Sequence, residues 1–162
     1  LAGPDGEAAD AAWRRLGAAG DTAVPFLRER IRPVAVPPGD DKQIEKLVAD
    51  LDAGRFVTRE RAAKELEAAG ELAIPALRRM VERPPSAEVR VRAEALVRKL
   101  TAQPLTADQL RVLEAIDLLG QVRTPKAVAL LEEVAREARV PRLRTEAGRA
   151  VQRTGKAEND KK

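Results

Sequence analysis

GELAIPALR, residues 70–78, holds Gly70 and Pro75 five positions apart between two runs that each read as amphipathic helix. The same separation occurs in GDTAVPFLR at 20–28 and in GQVRTPKAV at 120–128, so the glycines fall at 20, 70 and 120. A glycine just past the last apolar position of a helix can adopt the left-handed backbone that closes it. A proline in the first turn of the next helix removes an N–H that would have had no intrahelical partner. Gly20, Gly70 and Gly120 are therefore expected to end one helix, with Pro25, Pro75 and Pro125 opening the next. The recurrence at 50 residues marks an internal repeat of tight helix hairpins. Flanking positions repeat as well: Leu16, Leu66 and Ile116, then Val24, Ile74 and Thr124, then Ile31, Val81 and Leu131. Thr124, and Ala127 in place of Leu27 and Leu77, make the third copy the weakest.

Composition agrees with helices. Apolar residues make up 44% of the 162-residue chain and aromatic ones only 2%, so the core must be built from Ala, Leu and Val. Such side chains suit close helix packing better than strands, where β-branched and aromatic residues are enriched. Cysteine, histidine and tyrosine are all missing from the sequence. That removes disulfides, thiolate and imidazole metal ligands, the usual neutral-pH acid/base and phenolic mechanisms. We therefore expect no enzyme activity, no metal and no cofactor. No run approaches the roughly 18 apolar residues of a membrane span, so no membrane association is expected within the chain. It opens on Leu1 rather than Met, and we expect a soluble segment of a longer protein.

Apolar spacings of three and four predict nine helices, near 6–19, 22–32, 41–52, 55–69, 72–83, 86–100, 107–119, 123–138 and 141–154. Phe56, Ala62, Ala63 and Leu66 are read as the buried face of the fourth, and Leu110, Leu113, Ile116 and Leu119 as that of the seventh. RPVAVPPGDD at 32–41 is a proline-rich break. Ser86 and Thr106 read as N-caps, the latter with Gln109 at capping-box spacing. One domain over 1–155, with a sub-boundary at 33–40 and a disordered polar tail at 156–162, is the expected organisation.

Residues 52–100 resemble HEAT repeats, helix pairs that stack into a curved solenoid. The resemblance lies in second helices carrying a Val-Arg pair, then Ala, then Leu. SAEVRVRAEALVRKL supplies Val89, Arg90, Ala93, Leu96 and Leu100. Looser versions give Phe56, Arg59, Ala63, Leu66 and Gly70, and Leu143, Arg144, Ala147, Val151 and Gly155. The run from Asp40 to Arg79 also looks like the helical segment that follows WD40 β-propeller regions in some large bacterial multidomain proteins. The resemblance implies an all-α, HEAT-like α-solenoid of about nine helices, acting as a non-catalytic protein-interaction or scaffolding module.

Charge adds less. Lys and Arg number 30 against 26 Asp and Glu, and the two signs are interspersed. Arg90, Glu94 and Arg98 form a stripe on one helix, and Arg142, Glu146, Arg149 and Arg153 another. If second helices line an inner surface, as in HEAT solenoids, Arg61, Arg92 and Arg149 point toward an acidic partner. Two alternatives stand beside the protein-interaction reading: a nucleic-acid-binding module using an Arg-rich face, with weak non-specific binding, and a structural spacer between domains. The resemblance extends to HEAT-like DNA glycosylases, which implies a Trp and a carboxylate as site residues. Here Trp13, the one tryptophan, follows Ala9 and precedes Leu16 on an apolar face and is expected in the core.

Overall fold

A computed structural model describes residues 15–35 and 40–159, with side chains as far as 155. Among the described residues the chain is all-helical, with no strand. Eight α-helices follow one another: α1 (Val24–Ala35), α2 (Asp41–Asp50), α3 (Phe56–Ala69), α4 (Ile74–Glu82), α5 (Ala87–Ala102), α6 (Ala107–Val122), α7 (Pro125–Glu137) and α8 (Pro141–Asn159). Residues 15–18 are also helical, whereas most of the helix expected at 6–19, Trp13 included, lies outside the described residues. Two 3₁₀ turns, Gly20–Ala23 and Gly70–Ala73, lead into α1 and α4.

Side-chain caps hold the starts of α2, α5 and α6, two of them, Ser86 and Thr106, read from the sequence. Asp40 accepts hydrogen bonds from the N–H groups of Lys42 and Gln43, and Ser86 accepts one from Val89. At Thr106 both halves of the capping box form, since the hydroxyl accepts from Gln109 N–H while the Gln109 side chain accepts from Thr106 N–H. These caps satisfy donors that have no partner inside the helix. Pro33 lies inside α1, whose described residues run past the expected end at 32. At the other end of the chain α8 continues to Asn159.

The Gly–Pro spacing conceals two different turns. Gly20 and Gly70 have positive φ, 55° and 62°, and each opens a 3₁₀ turn before the next helix. Gly70 departs from the left-handed helical conformation expected of it, because its ψ is −140°. That backbone lies beside a region open almost exclusively to glycine. Gly120 does not end a helix. It sits inside α6, which stops instead at Arg123, whose φ and ψ of 54° and 21° are left-handed. Thr124 then caps α7 by accepting from Ala127 N–H, with Pro125 as the first helical residue. α6 thus continues for two residues past the glycine.

The chain divides into two compact units, one made of Leu1–Pro37 with Leu105–Lys162, the other of Pro38–Pro104. In the second, the hairpin α2–α3 meets the hairpin α4–α5, with α2 packed on α4 and α3 on α5. Ile44, Leu47, Leu51, Leu66, Leu77 and Leu100 are among the residues of one buried cluster, so Leu66 and Leu77 share a core across the hairpin, as the repeat implies. In the first, α1 packs on α6 and α7, and α8 packs on α6 and α7. Leu27, Ile31, Ile116, Leu119, Leu131 and Leu143 are fully buried in that unit. The N–H groups of Arg139 and Val140 donate to Ala35 O, tying the end of α1 to the α7–α8 turn.

A further regularity links the units. Arg59 donates from Nη1 to Ala53 O at 2.9 Å, and Arg144 from Nε to Ala138 O at 2.7 Å, each reaching six residues back into the loop before its helix. Three positions on are Ala62 and Ala147, both buried, and Ala93 stands in the same relation to Arg90. The alanine of the repeated pattern in α3 is therefore Ala62 and not Ala63, which is only partly buried.

Candidate functional site

Two apolar residues read as core are exposed. Phe56 is 62% accessible and Leu110 48%. At about 100° per residue, Phe56 is about 80° off the buried face marked by Leu66, and Leu110 is about two and a half turns from Leu119, on the opposite side of α6. Val57, the neighbour of Phe56, is 76% accessible. Two adjacent large apolar side chains in water at the start of one helix are the most conspicuous surface feature of the Pro38–Pro104 unit.

Val57 lines a cleft between α2 and α3, while Phe56 lies outside that lining with the Arg59 guanidinium over its ring at 5.8 Å. Gln43, Lys46, Leu47 and Asp50 from α2 and Val57, Thr58, Arg61 and Ala62 from α3 line a volume of about 200 Å³. Leu47 and Ala62 form the buried floor. Arg61 is bonded from Nε to Glu65 Oε1 at 2.6 Å. That hydrogen bond and the charge of Glu65, with a smaller contribution from Asp50, raise the guanidinium pKa above its ordinary value. Arg61 is therefore a fixed cation at the cleft, already partly balanced.

The other arginines singled out from the sequence are paired too. Arg92 reaches Glu88 at 2.6 Å and donates to Leu51 O at 3.5 Å, with its side chain only 28% accessible. It belongs to the same unit as Arg61. Arg149, in the other unit, pairs with Glu146 at 2.6 Å. Both stripes carry internal pairs, Arg98 with Glu94 at 4.0 Å in the first, and Arg153 with Asp117 of α6 at 3.6 Å beside the second. Exposed pairs of this kind contribute little stability and leave little free charge to project.

A larger groove lies between α1 and α6. Leu16, Phe26, Leu27, Ile31, Val112 and Ala115 are among the residues lining about 460 Å³, with Glu29, Arg30, Asp108 and Arg111 also in the lining. The Arg30 guanidinium stacks over the Phe26 ring at 3.8 Å, and Arg111 pairs with Asp108 at 2.8 Å. Its charges are thus evenly matched. Among the described residues, no group of three or more His, Cys, Asp or Glu could hold a metal ion, and no helix is long and apolar enough to cross a membrane.

No protein-family model, curated protein or solved structure is similar to this chain at a significant level. The surface must therefore be read from its own chemistry. Exposed apolar residues beside a shallow, mixed-polarity cleft can bury area against a partner and orient it, which is the chemistry of recognition.

Proposed function

We propose that the chain is a HEAT-like α-solenoid module of about nine helices that acts without catalysis, as a protein-interaction or scaffolding part of a larger bacterial protein. Its attachment beside a WD40 β-propeller rests on the sequence likeness over residues 40–79. Hairpin stacked on hairpin in Pro38–Pro104, and the repeated arginine that reaches back to a loop carbonyl at Arg59 and Arg144, support the helical-repeat reading. The observation that carries the interaction reading is the exposed Phe56–Val57 pair at the start of α3, of which Val57 lines the α2–α3 cleft. A spacer has no use for two large apolar side chains in water, which favour association and must be offset elsewhere.

The test is selection of a random peptide library displayed on phage against the whole chain. Enriched peptides should lose binding to the double variant Phe56→Ser, Val57→Ser, whose helix content is verified by far-UV circular dichroism. Enrichment of no peptide sensitive to that variant would defeat the interaction reading and favour the spacer.

A further inference from the structure

We infer that the groove between α1 and α6 is covered by the chain's own first residues, with Trp13 as the side chain that fills it. Groove and segment belong to one compact unit, Leu1–Pro37 with Leu105–Lys162. The inference is independent of the interaction reading above and goes beyond it, since a groove covered from within is not open to a partner.

The chain reaches the groove at residues 15–18, which are helical, with Ala19 N–H donating to Arg15 O at 3.0 Å. Leu16 lines the groove together with Val112 and Ala115 of α6. Gly17 also faces α6, because a Cβ added there would come within 3.2 Å of Leu118 Cδ1. These two residues fix which side of the helix looks toward α6. In the helix expected at 6–19, at about 100° per residue, Trp13 falls about 60° from Leu16, in the sector between Leu16 and Gly17 and one turn before them. Ala9 and Ala12 fall within about 40° of Leu16, whereas Glu7, Asp10 and Arg14 fall about 120° or more away. The side of that helix turned toward the groove is therefore uncharged.

An uncharged face is what the groove fits. Its apolar lining encloses about 460 Å³, Arg111 is paired with Asp108, and Arg30, stacked on Phe26, is offset in sign by Glu29. A neutral segment with one large ring meets these walls without leaving a charge unmatched, and gains about 25 cal/mol for each Å² of apolar surface it covers. The segment is also continuous with Leu16, so it escapes most of the translational and rotational entropy that a separate peptide or small amphiphile loses on entering.

The experiment reads the fluorescence of Trp13, the one tryptophan, in the whole chain. Its emission should be blue-shifted from that in urea and its quenching by acrylamide slower. A nitroxide attached at Arg111→Cys, an exposed position of the lining in a chain without native cysteine, should quench that emission relative to the diamagnetic analogue of the same label. Val34→Glu, which puts a charge into the lining, should shift the emission to the red while the far-UV circular dichroism stays helical. Water-like emission from the folded chain would overturn the inference and leave the groove to another occupant. A shielded tryptophan that neither the nitroxide at 111 nor Val34→Glu affects would overturn it as well, because the ring would then be buried elsewhere.

Discussion

Replacing glycine by alanine should have opposite signs at two positions that look equivalent in the sequence. At Gly70 the backbone has φ 62° and ψ −140°, and a Cβ added there would meet nothing within 4 Å. The penalty is therefore purely conformational, about 1–3 kcal/mol, reduced by the ~0.4–1 kcal/mol gained from a less flexible unfolded chain. Gly120 is helical, and its added Cβ would lie 3.5 Å from the Ala150 Cβ, an ordinary contact between α6 and α8. There alanine removes a helix-interior glycine and should stabilise by about 0.5–1 kcal/mol. Because the two residues lie in different compact units, Gly20→Ala, at φ 55° in the unit of Gly120, supplies the comparison within one unit. Urea unfolding followed by far-UV circular dichroism reads all three variants. If Gly120→Ala destabilises as much as Gly20→Ala, the distinction between the two kinds of turn is wrong.

Leu66→Ala should lower stability by about 2–5 kcal/mol, because a fully buried side chain leaves a cavity in the α2–α5 core; a loss under about 0.5 kcal/mol in urea unfolding would contradict its burial. Thr106→Ala should cost about 1 kcal/mol by removing the hydroxyl that accepts from Gln109 N–H, with faster amide exchange in the first turn of α6, and unchanged exchange would refute the cap. Arg59→Met keeps the aliphatic stem but loses the bonds to Ala53 O and Gly54 O, so the 51–55 loop should exchange faster at a cost of about 1 kcal/mol. Duplex DNA should bind no tighter than about 10⁻⁵ M at physiological salt. Tight binding that survives added salt and collapses on replacing Arg61, Arg92 and Arg149 by Ala would favour the nucleic-acid alternative.

Most helices were legible because their signals are local. Proline, glycine, a capping hydroxyl and apolar spacing act within one or two turns, so the starts at Asp41, Ala87 and Ala107 follow from Asp40, Ser86 and Thr106 without knowledge of the rest. The pairing of Leu66 with Leu77 follows too, since a tight turn leaves the two helix faces few ways to meet. What lies across from a helix is not written in its own residues. Phe56 and Leu110 are apolar and sit among apolar spacings of three and four, yet Phe56 falls about 80° off the face of Leu66 and Leu110 opposite Leu119, and both are exposed. Gly120 shares the spacing of Gly20 and Gly70, but α6 runs on to a left-handed Arg123 and α8 comes close beside the glycine at Ala150. Pairing of α1 with α6 and α7 joins segments far apart in the chain, and only tertiary packing could select it over pairing with any other apolar face. The arginines show the same division, since the sequence supplies the charge while the carboxylate or carbonyl within reach decides whether it holds a loop, balances a helix or remains open to a partner.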